Sequence, residues 1–304
     1  MPKIVITGGL GLIGSRLKEL LHHQGNEVVI VDLAAPTSSN DWGDICDLNT
    51  LVDRFRRCDG IVHLAAVSRV IWGERDPAQC WAVNVEGTRN VLNAARLANQ
   101  GRQPWIVYAS SREVYGHAVV QPVSETAPLV PVNVYGRSKV AAELLFKEAA
   151  INGMRTSIVR FSNVFGSTSD HPDRVVPAFS RAAAKGGTIV IEGAENTFDF
   201  TWQDDVCSGV ATLCAALADE STRGLPPIHF VSGQQTSLAQ LSKLALSHAS
   251  PGTTVKQGAP RNFDVARFCG DPARAAALLG WRAQMPLERG VAALIEKYRA
   301  AESR

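Results

Sequence analysis

The sequence has no run of about 20 apolar residues, so nothing in it is long enough to cross a bilayer as a helix. No secretory leader is expected at its start, because the apolar run at residues 3–6 turns at once into glycines. Neither sign of charge dominates. The 31 Lys and Arg stand against 29 Asp and Glu, so nothing calls for a nucleic-acid or anionic-membrane partner. The six cysteines (Cys46, Cys58, Cys80, Cys207, Cys214 and Cys269) contain no CxxC pair, which removes the signal for a zinc site or a redox couple. Histidines with metal-ligand spacing and acidic partners are missing too, and no metal is expected. No internal repeat or low-complexity tract is evident. These absences predict a cytoplasmic protein with reduced, mostly buried thiols.

What is there is an apolar share of 45% in 304 residues, enough for a substantial core. Short β-branched runs at 3–6, 28–31, 60–64, 106–109 and 156–160 read as strands. They are apolar without alternation, as strands buried on both faces are. Helical patterns at 12–24, 83–98 and 134–151 lie between them. This alternation predicts an α/β fold with a doubly wound parallel sheet. After Ser162 the pattern loosens into Gly-, Pro- and Ser-rich segments with short helices at 176–185, 238–247 and 287–301. Residues 1–165 are expected to form the sheet domain, with 195–220 returning to it. Residues 166–304 are expected to form mainly a smaller substrate-binding lobe.

Thr7-Gly-Gly-Leu-Gly-Leu-Ile-Gly14 follows the first strand directly and opens the first helix. In that setting Gly8 permits the tight turn, Gly11 lets the backbone approach a pyrophosphate, and Gly14 lets helix and strand pack closely. The helix start at Leu12 and Ile13 offers free N–H groups to an anion. This is the loop of a Rossmann-type nucleotide fold. Asp32 ends the second strand, where a carboxylate accepts bonds from ribose hydroxyls and repels a 2′-phosphate. No arginine follows it, which favours NAD over NADP. Asp44, beside Ile45, either contacts the adenine or caps the helix after it.

Tyr135 and Lys139 are four apart in a helical pattern and share a face. A free tyrosine, with a pKa of about 10, is a poor base at neutral pH. An adjacent ammonium is expected to lower that value into a useful range. Asp204 and Asp205 are expected to cap a helical run at 206–218 rather than to do acid–base work.

These motifs occur together with His63-Leu-Ala-Ala66, Asn84-Val-Glu-Gly-Thr88, Ser110-Ser-Arg-Glu-Val-Tyr-Gly116, Arg160-Phe-Ser-Asn163 and Asp199-Phe-Thr-Trp-Gln-Asp-Asp-Val206. In that order the chain resembles the NAD-dependent epimerase/dehydratase family, the extended short-chain dehydrogenase/reductases that modify nucleotide sugars. The resemblance implies that Ser111 orients a sugar hydroxyl, that Tyr135 removes its proton while a hydride moves to NAD, and that Lys139 tunes Tyr135. It implies that Leu64, Ala65 and Ala66 pass beneath the cofactor, with Ile45 and Asn84 also at it. It assigns Asn163 and Arg261 to the substrate, with Arg69 a local candidate for an anionic group. It also implies a homodimer built on the helices at 83–98 and 134–151.

Two positions depart from the family pattern. Arg112 stands where the dehydratases have Asp, and a guanidinium cannot donate a proton at neutral pH. Glu113, which follows it, is retained and either works at a sugar carbon, pairs with Arg112 or caps a turn. Phe198 stands where the family commonly has a pyrophosphate-gripping arginine, and a phenyl ring offers no charge-assisted bond. The expectation is a sugar 4-epimerase acting through a transient keto-sugar, with decarboxylation, or reduction or oxidation of a sugar or uronate, as alternatives. A non-catalytic NAD-binding regulator is the alternative from another class; such proteins usually lose the Tyr or the Lys.

Overall fold

The computed structural model describes residues 1–99, 101, 103–259 and 265–302. Strand β1 (Lys3–Thr7) is an apolar, β-branched run whose last four residues are buried. It leads through the glycine turn into α1 (Leu12–His23), whose N-cap is Gly11 with no capping side chain. Strand β2 (Glu27–Val31) returns beside β1. Helix α2 (Leu48–Arg54) is capped by Asp47, whose carboxylate accepts from the Asn49 N–H. Asp44 therefore does not cap this helix. Its carboxylate accepts from the Cys46 N–H instead, at 2.8 Å.

Strand β3 (Gly60–His63) is followed by α3 (Val70–Arg75) and α4 (Pro77–Trp81). A π-helical segment, Ala82–Gly87, then runs into α5 (Thr88–Ala98). The single helix expected at 83–98 thus begins with a widened turn. Strand β4 (Trp105–Ser111) ends in a 3-10 turn, Arg112–Tyr115. Helix α6 (Val134–Ile151) starts at Asn133, whose side chain accepts from the Gly136 N–H, and β5 (Thr156–Phe161) is buried throughout.

Beyond β5, short strand β6 (Asn163–Phe165), α7 (Val175–Lys185), β7 (Thr188–Glu192) and β8 (Thr197–Trp202) begin the smaller lobe. Helix α8 (Gln203–Ala218) packs on α1, and β9 (Leu225–Phe230) joins β5 as an edge strand of the main sheet. The remaining elements are β10 (Gln235–Ser237), α9 (Leu238–Ser247), β11 (Thr254–Gly258), α10 (Ala273–Leu279) and α11 (Leu287–Glu302).

The main sheet has the order β2-β1-β3-β4-β5-β9, all parallel, and is a doubly wound Rossmann-type sheet. One face packs Leu17 and Leu21 of α1 with Val210 and Leu213 of α8. The other packs Leu51, Val91, Ala95 and Phe146 of α2, α5 and α6. A separate core around Phe179, Ile189, Phe200, Leu241 and Leu294 holds the smaller lobe. Within the stretch 195–220, only α8 lies against the sheet layer. β8 pairs with β6 and β10 in a second sheet, and the sixth main strand lies further on at β9. Two prolines in Leu-Pro-Pro-Ile-His-Phe hide that strand from a propensity reading, and an edge position tolerates them. Asp204 and Asp205 fall inside the first turn of α8 rather than before it. Asp204 pairs with Arg16 at 2.8 Å, while Asp205 accepts from the Gln284 and Met285 N–H groups at 3.0 and 2.8 Å.

Candidate active site

The C-terminal ends of the main strands open into a cavity of about 1150 Å³ that continues into the smaller lobe. One end is the glycine turn. Gly8 has φ +72°, and a Cβ there would lie 2.6 Å from the Ala65 nitrogen. A Cβ on Gly14 would lie 2.3 Å from the Gly8 oxygen, so α1 and the turn touch backbone to backbone. Gly11, Leu12 and Ile13 line the cavity at the uncapped start of α1. Asp32 is fastened to this turn, accepting from the Leu10 N–H at 2.9 Å and the Ala34 N–H at 2.8 Å. Asp44, Ile45, Leu64, Ala65 and Ala66 complete this end of the wall.

Asn84 is elsewhere. It is buried, is absent from the cavity lining, and spends its amide on the chain: Oδ1 accepts from Val67 N–H at 2.8 Å, and Nδ2 donates to Ser138 Oγ at 2.9 Å. In this structure it braces the loop after β3 against α6. His63 belongs to the same buried frame. Burial pushes its pKa down to about 3, so the ring is neutral, between Thr7 Oγ1 at 2.7 Å and Thr88 Oγ1 at 3.0 Å. The Thr88 hydroxyl donates to the Asn84 carbonyl, so His63 Nε2 is the donor to Thr88 and Nδ1 the acceptor from Thr7.

Ser111, at the end of β4, and Tyr135, in the first turn of α6, come together on one wall of the cavity, and the Ser111 Oγ accepts from the Glu113 N–H at 3.3 Å. Lys139 follows one turn on, with Nζ donating to the Ala109 carbonyl at 2.8 Å and lying 5.7 Å from the Tyr135 ring centre. All three line the cavity. The electrostatics differ from the expectation. Burial pushes Tyr135 up to about 12, the nearby Ser111 hydroxyl opposes this, and Glu113 adds to it. Loss of solvation leads, and the Lys139 ammonium does not offset it, because it gives up its own charge before the phenol titrates. Burial pushes Lys139 itself down, to about 8.

Glu113 is buried beside them with both oxygens taken. Arg112 Nη2 meets Oε1 at 2.9 Å, and Asn133 Nδ2 donates to Oε2 at 2.8 Å. Asn133 was legible as a helix cap preceding Val134, but its second bond, to Glu113, has no sequence signal. The Arg112 guanidinium carbon lies 4.6 Å from the centre of the Phe198 ring. Asn163 and Arg69 also line the cavity, with Arg69 paired to Asp173. Arg261 lies outside the described residues. Asp170, Asp173 and Arg174 bring further charge to the wall from a loop with no regular pattern to betray it.

The sequence profile described as the NAD dependent epimerase/dehydratase family matches residues 4–225. The chain belongs to that family. It is 30% identical over 316 residues to the UDP-glucose 4-epimerase of Mycolicibacterium smegmatis, spanning 98% of both chains. It is 26% identical over 313 residues to UDP-glucuronic acid decarboxylase 1 of Xenopus tropicalis, spanning 98% of this chain and 72% of that one. Among solved structures, MoeE5 in complex with UDP-glucuronic acid and NAD superposes with a TM-score of 0.87 at 30% identity. That match spans 98% of this chain and 99% of MoeE5. The protein is an NAD-dependent enzyme of the isomerase or oxidoreductase type. The turn fits the cofactor's diphosphate. At Gly11 an added Cβ would meet only the Gly8 oxygen, at 3.3 Å, so this side is clear of the protein, and the start of α1 directs positive dipole towards it. Among the described residues no three His, Cys, Asp or Glu side chains cluster to hold a metal ion, and no helix is long and apolar enough to cross a membrane.

Proposed function

We propose that this enzyme is a 4-epimerase of nucleotide-linked sugars, working through a transient 4-keto sugar. The observation that carries this reading is that Ser111, Tyr135 and Lys139 line one wall of a cavity that runs unbroken to the glycine turn. NAD, when bound, supplies a reversible hydride acceptor. The residues that would hold it are the turn Gly8–Gly14, with Asp32 on the adenosine ribose, Ala65 beneath and Lys139 beside the second ribose. Ser111 orients the secondary hydroxyl of the sugar. Tyr135, once the positive charge of bound NAD offsets the burial that keeps its phenol protonated, takes that hydroxyl's proton while a carbonyl replaces it, and returns the proton when the carbonyl is reduced. Arg69 and Asn163 lie along the path of the rest of the substrate.

Glu113 decides between reactions on this wall. With Arg112 and Asn133 on its two oxygens it is no free base, and Arg112 has no proton to give. That favours epimerisation over loss of water. Decarboxylation is the second reading, favoured by the retained Glu113 and the likeness to UDP-glucuronic acid decarboxylase 1.

The test is incubation of NAD-loaded enzyme with nucleotide hexoses and nucleotide uronates, followed by nuclear magnetic resonance. A C4 epimer with the cofactor still bound is the expected product. Carbon dioxide release, or NADH in step with substrate consumed, overturns the reading. Tyr135→Phe is expected to slow turnover by about 10²- to 10⁴-fold and to leave NAD binding unchanged. Activity surviving in that variant removes Tyr135 from the mechanism.

A further inference from the structure

Resting on the epimerase reading above, we infer that the sugar handled here carries a carboxylate and that Arg112 is the residue that selects it. Arg112 and Phe198 are two departures from the family's motifs, and the fold makes them partners. The guanidinium stacks on the phenyl face at 4.6 Å, and both residues line the cavity with Ser111. This stack holds the guanidinium plane while consuming none of its N–H donors.

One edge of the fork is engaged, through Nη2 and Glu113 at 2.9 Å. Nη1 has no partner, although only 9% of the residue is exposed. A buried guanidinium N–H without an acceptor is costly, so a group that completes it regains that cost on binding. A planar carboxylate does so with two oxygens and a charge, whereas the hydroxymethyl of a neutral hexose brings one neutral oxygen. Asn133 fixes the far side of Glu113, which keeps the internal carboxylate from rotating across to Nη1. Phe198 adds no competing anion. Arg112 therefore bridges an internal carboxylate and a substrate carboxylate.

The experiment titrates NAD-loaded protein with UDP-glucuronate and with UDP-glucose by calorimetry, and follows the products by nuclear magnetic resonance. The wild type is expected to bind UDP-glucuronate about tenfold to hundredfold more tightly than UDP-glucose. Arg112→Met is expected to erase that preference mainly by weakening the uronate. Because this change strands the Glu113 carboxylate, the double variant Arg112→Met/Glu113→Gln is measured alongside it. Equal binding of the two sugars by the wild type, or equal losses for both in the variants, overturns the carboxylate site. Formation of a C4 epimer in the same samples would leave the epimerase reading standing. A uronate preference that depends on Arg112 but ends in carbon dioxide or stoichiometric NADH keeps the carboxylate site and overturns the reaction. If neither sugar binds, both fall.

Discussion

Lys139 lies one helical turn from Tyr135, yet the phenol is pushed up, to about 12. Spacing in a sequence reports which side chains share a face. It does not report how much water each has lost, and here desolvation dominates. The other three tyrosines, Tyr108, Tyr115 and Tyr298, are also pushed above the ordinary value by burial. An acid whose pKa is higher folded than unfolded keeps its proton while the unfolded chain loses it. Stability is then whole below the unfolded pKa of about 10 and falls as pH rises through it. The expected result of a spectrophotometric titration is no phenolate signal from folded protein near pH 10, and its appearance on unfolding. A phenolate titrating near 10 in the folded, cofactor-free protein contradicts the burial argument. His63 is the same lesson with the sign reversed, a base made neutral by burial.

At the scale of elements, local chemistry was legible wherever the cause was local. The glycine turn and α1 follow from backbone sterics, and 134–151 was readable as a helix with the bounds it has as α6. The π-helical turn at Ala82–Gly87 was not, because it answers to contacts from elsewhere: Asn84 reaches back to Val67 and across to Ser138. Strand β9 was missed for a similar reason, since its place is decided by β5 rather than by its own propensity. The glycine turn separates packing from binding. Gly14→Ala is expected to disrupt the turn, since its Cβ would overlap the Gly8 oxygen at 2.3 Å, lowering the melting temperature and abolishing NAD binding. Gly11→Ala, facing that oxygen only at 3.3 Å, is expected to melt near the wild type but to bind NAD more weakly. Equal melting temperatures for the two variants contradict this division.

In the whole molecule, buried charge ties the sheet to its surroundings. Arg160 on β5 meets both oxygens of Glu143 on α6 at 2.8 and 2.6 Å and donates to the Tyr115 hydroxyl at 2.6 Å. Tyr115 in turn meets His229 on β9 at 2.6 Å. This frame fixes the 3-10 turn that carries Arg112 and Glu113. On the outside, Leu97, Leu144 and Ile151 are exposed on the helices expected to pair two copies. Those side chains support the homodimer as a proposal. Sedimentation is expected to report a dimer that Leu144→Glu with Ile151→Glu converts to monomer; a wild-type monomer overturns it.

With Ser111 pointed to by the family resemblance, the residues alone determined the nucleotide turn, the strand–helix alternation and the shared face of Tyr135 and Lys139. Each depends on neighbours within a turn or two of chain, where sterics and spacing act directly. The fold decided that Arg112 lies on Phe198, that Glu113 is held rather than free, that Asn84 braces a loop, and which way Tyr135 titrates. Those outcomes depend on burial and on partners brought together from distant parts of the chain, and both come into being only when the layers close.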